Sequence, residues 1–150
     1  MQTTRQADCA ASVAAPVVVP GVRLIRSTST ARPPPDDAVA ALRQLVADLT
    51  DRASKPGYRG CAFINIAVEY PDRDHFARSF VADNKRQLLQ RLTALATRTG
   101  ARDPVALAKG LTLLIEGAYA ASQTYAPDIG LLAALPATTD ILIGAALAVR

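Results

Sequence analysis

From residue 36 onward, apolar residues recur at three- and four-residue intervals, the period of an α-helix with one buried side. Val39, Leu42, Leu45 or Val46, and Leu49 form such a stripe, with Arg43, Asp48 and Arg52 opposite. The spacing predicts a first helix that begins near Asp36 or Asp37, acidic residues suited to a helix start, and stops near Ser54 before Pro56-Gly57. A short second helix is expected from about Cys61 to Glu69, framed by Gly57 and Gly60 and ended by Pro71. The third and longest runs from Asp72 or Asp74 to Thr99. Phe76, Phe80, Leu88, Leu92 and Leu95 share its stripe, Arg78, Asp83, Arg86, Gln90 and Arg98 its wet side, and Gly100 its C-terminal cap. Asp103 as N-cap and Pro104 in the first turn open a fourth helix to Thr124 or Tyr125. A fifth follows Pro136, from about Ala137 to Val149, with room for a short turn of helix in Ala126–Leu135. No strand pattern or internal repeat competes, so the expected fold is an all-α bundle of about five helices.

The last two helices ask for more than one core. Between Asp103 and Asp128 the only charges are Lys109 and Glu116, and after Asp140 there is none until Arg150. Helices apolar nearly all round need a second cover, which is either a central place in a monomer core or a partner. Small residues mark a close-approach face: Gly110, Gly117 and Ala121 on the fourth helix, Gly144, Ala145 and Ala148 on the fifth. The expectation is a homodimer in which these helices pair into a four-helix bundle, burying more than ~1,000 Å².

Composition narrows the partners. The net charge of +4 is concentrated in residues 1–35, where Arg5, Arg23, Arg26 and Arg32 face Asp8 alone. The remainder is almost neutral, so the helical part lacks a basic surface for a phosphate backbone. Residues 1–35 end in STSTARPPP and read as a disordered tail or linker. Pro16, Pro20 and Asp8 interrupt its apolar stretch, which argues against an export signal. Two cysteines, Cys9 and Cys61, and a single histidine make neither a disulfide framework nor a zinc set, so no metal or cofactor is expected and a reduced cytoplasm fits. Pro136 and Asp140 break the apolar stretch Leu131–Val149, and no membrane span is expected.

Several segments in order carry a resemblance: Tyr58-Arg59-Gly60-Cys61, then Phe63, Asn65 and Glu69, Pro71-Asp72, Asp74-His75, Lys85-Arg86, the run Gly100 to Pro104, and Leu113 to Ala118. Together they resemble the C-terminal ligand-binding and dimerisation domain of TetR-like transcriptional repressors, across residues 36–150. Ala62 departs from that pattern in a minor way. The resemblance implies a dimeric regulator that holds a small apolar or amphipathic effector among its second, third and fourth helices. Residues 1–35 are too short and too proline-broken for the helix-turn-helix of such repressors, so specific DNA binding by this chain is not expected. A second reading is an interaction protein that pairs with a full-length relative as a dominant-negative partner.

Effector pockets are mostly apolar with a few placed polar groups. Phe63, Ile66, Phe80, Leu88 and Leu114 are the candidate wall, although plain core is the more ordinary reading of each. Asn65, Glu116, Tyr119 and Gln123 are the candidate polar groups. Glu116 is the sharpest, because a carboxylate in so apolar a helix must be exposed, paired or protonated. Lys85 is a better partner than Lys109, which lies seven residues away on the same helix. Otherwise the basic pairs Lys85-Arg86 and Arg98/Arg102 read as solvated faces. Cys61, beside Arg59 at a helix start, is either a reactive redox thiol or a small packing residue. His75 reads as a first-turn surface residue, and no nucleophile, base and orienting group fall into a recognisable pattern. The chain is therefore expected not to be an enzyme.

Overall fold

A computed structural model describes residues 37–148, and the expectations for residues 1–35 lie outside them. Five α-helices follow one another: α1 (Ala38–Ala53), α2 (Ala62–Glu69), α3 (Phe76–Arg98), α4 (Pro104–Thr124) and α5 (Leu135–Leu147). Two short 3₁₀ turns, Pro127–Ile129 and Leu131–Ala134, separate α4 from α5, and no strand occurs among the described residues.

The helix starts follow side-chain chemistry. Asp37 accepts the Val39 amide at 2.8 Å, and Asp103 accepts the Ala106 amide at 2.8 Å with Pro104 next in line. Each such cap satisfies an amide that has no partner in the first turn and contributes about 1 kcal/mol. Gly100 ends α3 with φ +76°, a conformation that costs a residue with a Cβ. The third helix starts later than its acidic residues suggest. Asp72 spends its carboxylate on the Asp74 amide (3.0 Å) in a preceding turn, and His75 Nδ1 caps α3 by accepting the Ala77 amide at 3.2 Å.

The core gathers Leu42, Val46 and Leu49 of α1, Leu92 and Ala96 of α3, Leu107, Leu111 and Ile115 of α4, and Leu135 and Ile143 of α5. Helix α4 is its axis, packed against α3, α5 and α1. One expectation fails here. Phe76 and Phe80 are 67% and 52% exposed, and the covered stripe of α3 runs instead through Val81, Lys85, Leu88, Leu92 and Ala96. The N-terminal half of α3 faces the eight-residue α2, which has no buried residue of its own. Phe80 pairs with Phe63 of α2, with ring centroids 5.5 Å apart.

Helix α5 lies against α1 and α4 through Leu135, Thr139 and Ile143. Thr139 is fully buried, and its hydroxyl has no hydrogen-bond partner among the described residues. Beside it a cleft of about 150 Å³ opens, lined by Arg43, Ala47, Pro136 and Asp140 and crossed by an Arg43–Asp140 ion pair of 2.6 Å. Two stretches, Pro104–Thr124 and Pro127–Leu147, are long and apolar enough to cross a membrane. The first buries Leu107, Leu111 and Ile115 in the core, and Gly130 (φ +66°) breaks the second into separate turns.

Candidate functional site

Titratable side chains from three helices meet where the start of α2 passes over α3 and α4. Lys85 Nζ of α3 lies 2.7 and 3.0 Å from the two carboxylate oxygens of Glu116 on α4. The same ammonium is 3.5 Å from Cys61 Sγ and 5.7 Å from the ring centroid of Tyr119. Both charged side chains are about a quarter exposed, at 26% and 27%. A pair so placed loses much of its hydration, and the lysine recovers it through two charge-assisted bonds and an aromatic face.

Local sequence explains the convergence. Lys85 stands four residues after Val81 and seven before Leu92, inside the covered stripe of α3. Reading it with Arg86 as a solvated face is therefore wrong for Lys85, while Arg86 is exposed and pairs with Asp83. Glu116 follows buried Ile115, and Tyr119 comes one turn later on the same side. Cys61 arrives over them by way of a tight turn. Gly60 has φ +72°, and a Cβ there would stand 3.0 Å from Gln123 Cγ. Gln123 Nε2 donates to the Tyr58 carbonyl at 3.2 Å, which fastens the turn to α4. Asn65 donates to the Arg59 carbonyl at 3.1 Å and braces the same turn from α2.

The phenols are held neutral. Burial chiefly raises the Tyr119 pKa, with the neighbouring Cys61 adding to it. Burial, followed by Tyr119, pushes Tyr58 up to about 12 from 10.0. A proton held more tightly in the folded state means that stability falls once the unfolded chain ionises. Unfolding followed by circular dichroism should accordingly show stability declining between pH 10 and 12. In Tyr58→Phe part of that decline should vanish, and an unchanged alkaline profile would contradict the raised pKa of this half-buried phenol.

The expected site residues divide into groups. Glu116, Tyr119 and Cys61 come together, joined by Lys85 and by Tyr58, which no apolar period singled out. Phe63 and Phe80 pair beside them, and Ile66 is half-buried on α2. Leu88 and Leu114 pack against the core, whereas Asn65 and Gln123 hold the turn. The larger cleft, about 250 Å³, lies elsewhere, between α4 and residues 131–138. Leu113, Leu114, Gly117, Ala121 and Leu132 line it, so it joins one expected wall residue to two expected interface residues. Gly110 points inward, where a Cβ would meet Leu142 of α5 at 3.8 Å. Gly117, Gly144, Ala145 and Ala148 face outward or partly outward, beside Leu113 and Ile141, which are 74% and 70% exposed. Among the described residues no group of three metal-ligating side chains occurs.

No protein-family model matches the chain, and no curated protein matches it significantly. Among solved structures it is similar to a TetR-family transcriptional regulator from Streptomyces coelicolor, at 28% identity and a TM-score of 0.70. The match covers 75% of this chain and 59% of that one, so the chain spans less than two thirds of its relative's length. The five-helix domain thus has the fold of a TetR-family regulator, consistent with a C-terminal segment of one.

Proposed function

We propose that residues 37–148 form the effector-sensing and dimerisation half of a TetR-type transcriptional regulator, cytoplasmic and without a catalytic step. The observation that carries the reading is the Lys85–Glu116 pair, a quarter exposed and set among Cys61, Tyr119 and Tyr58 where three helices cross. A polar group of a small amphipathic molecule can exchange with either partner of that pair. Phe63 and Phe80 would then receive its apolar part. Such a ligand acts by preferring one packing of α2 and α3 over another. The exposed apolar face of α4 and α5 supports self-association, and the same face could instead receive a longer relative. DNA recognition is not assigned to this segment.

Glu116→Gln tests the site. It leaves Lys85 without a counter-charge, so melting should show a loss of about 1–3 kcal/mol. In a thermal-shift series with amphipathic acids and amines, compounds that stabilise the wild type should lose their effect on the variant. Unchanged stability together with unchanged shifts would remove Glu116 from the site.

A further inference from the structure

We propose that Cys61 and Lys85 are a modification site, at which hydroperoxide oxidation of the thiol leads to a reversible sulfur–nitrogen cross-link between the start of α2 and the middle of α3. Three features support it. The thiol is free and half-buried, and although Cys61 occupies the N-cap position of α2, its side chain makes no capping bond. Its sulfur instead lies 3.5 Å from Lys85 Nζ, so a nucleophilic nitrogen and an oxidisable sulfur are already in contact. A base is present as well, since the Glu116 carboxylate receives two bonds from the same ammonium at 2.7 and 3.0 Å.

The chemistry balances with a hydroperoxide as the single oxidant. The thiolate sulfur attacks the peroxide, the O–O bond breaks, and sulfenic acid forms as the peroxide is reduced to water or an alcohol. Lys85 then passes one proton to Glu116, and its freed electron pair attacks sulfur. The N–S bond forms, the S–O bond breaks, and the departing hydroxide leaves as water with a second proton from nitrogen. The product is a sulfenamide, two hydrogens lighter than the reduced pair. An external thiol reopens it by attacking sulfur and returning the electrons to the nitrogen.

Formation of the bond does not depend on the effector-site reading, but its consequence does. The cross-link removes the Lys85 charge, leaves Glu116 without its cation and ties α2 to α3. If this is the effector site, oxidation closes it.

The sequence makes the test clean. Cys9 is the other thiol, and Lys55 and Lys109 are the other lysines. Cys9→Ser protein treated with hydrogen peroxide should lose about 2 Da in intact mass, and peptide mapping should join Cys61 to Lys85. Dithiothreitol should restore the starting mass. Lys85→Arg keeps the cation for Glu116 but lacks the amine. Its Cys61 should gain oxygen in place of the cross-link, with the helical spectrum retained. Oxygenation of Cys61 without the joined peptide in the Cys9→Ser protein, or equal joining to Lys55 or Lys109, overturns the proposal. Cross-linked protein whose thermal shifts with amphipathic compounds equal those of reduced protein would overturn the effector-site consequence while the bond itself stands.

Discussion

Leu111→Ala is expected to lower the unfolding free energy by about 2–5 kcal/mol, a large share of the 5–15 kcal/mol typical of a single domain. Leu111 is 1% exposed and sits on α4, the helix packed against α1, α3 and α5. Removing its side chain subtracts transfer free energy and leaves a void that three helices must close together. Leu113, two positions along the same helix, is 74% exposed, so Leu113→Ala should change the stability of the monomer by no more than about 0.5 kcal/mol. Urea unfolding at low protein concentration measures both. Equal losses at the two positions would mean that the buried face of α4 is wrongly assigned.

The contrast between these neighbours also marks what could be read in the chain and what could not. Local chemistry was legible. Asp103-Pro104 announces the start of α4 and Gly100 the end of α3, because caps and left-handed residues act through their own backbone. The number and order of helices follow from period and breakers in the same way. Burial along α3 was not legible at its first turns. Phe76 and Phe80 satisfy the helical period, but period says which residues share a side, not whether a neighbour covers it. The neighbour is α2, eight residues long and without a fully buried residue of its own.

The candidate site shows the same division. Glu116 was visible as a charge in an apolar helix, and its need for a partner pointed to Lys85. The position of Lys85 on the stripe of Val81, Leu88 and Leu92 was a second signal, obscured by its exposed neighbour Arg86. Tyr58 left no trace of period, since it enters the cluster from a turn. Gly60 and Gln123 set that turn through a close approach between residues far apart in sequence. Contacts of this kind belong to the tertiary fold, and only residue type hints at them.

Leu113→Glu combined with Ile141→Glu should convert a dimer of this domain into a monomer. The two side chains are 74% and 70% exposed in the single chain, on helices that carry few charges. Burying a large aliphatic side chain contributes roughly 1.5–3 kcal/mol, and a two-fold interface contains each position twice. Losing even about 4 kcal/mol weakens association by roughly a thousandfold. Sedimentation velocity over a concentration series reads the change directly, and a wild-type protein that stays monomeric at micromolar concentration would sink the idea. Gly144 refines the test. Within the chain a Cβ at Gly144 meets nothing within 4 Å, so Gly144→Ala should be tolerated and should stabilise the isolated helix by up to about 1 kcal/mol. At a helix–helix seam the added methyl would hold the two backbones apart. A variant that melts higher as a monomer yet dimerises more weakly is therefore the signature expected of a glycine kept for a partner, and one that melts higher with unchanged association would place the seam elsewhere on α5.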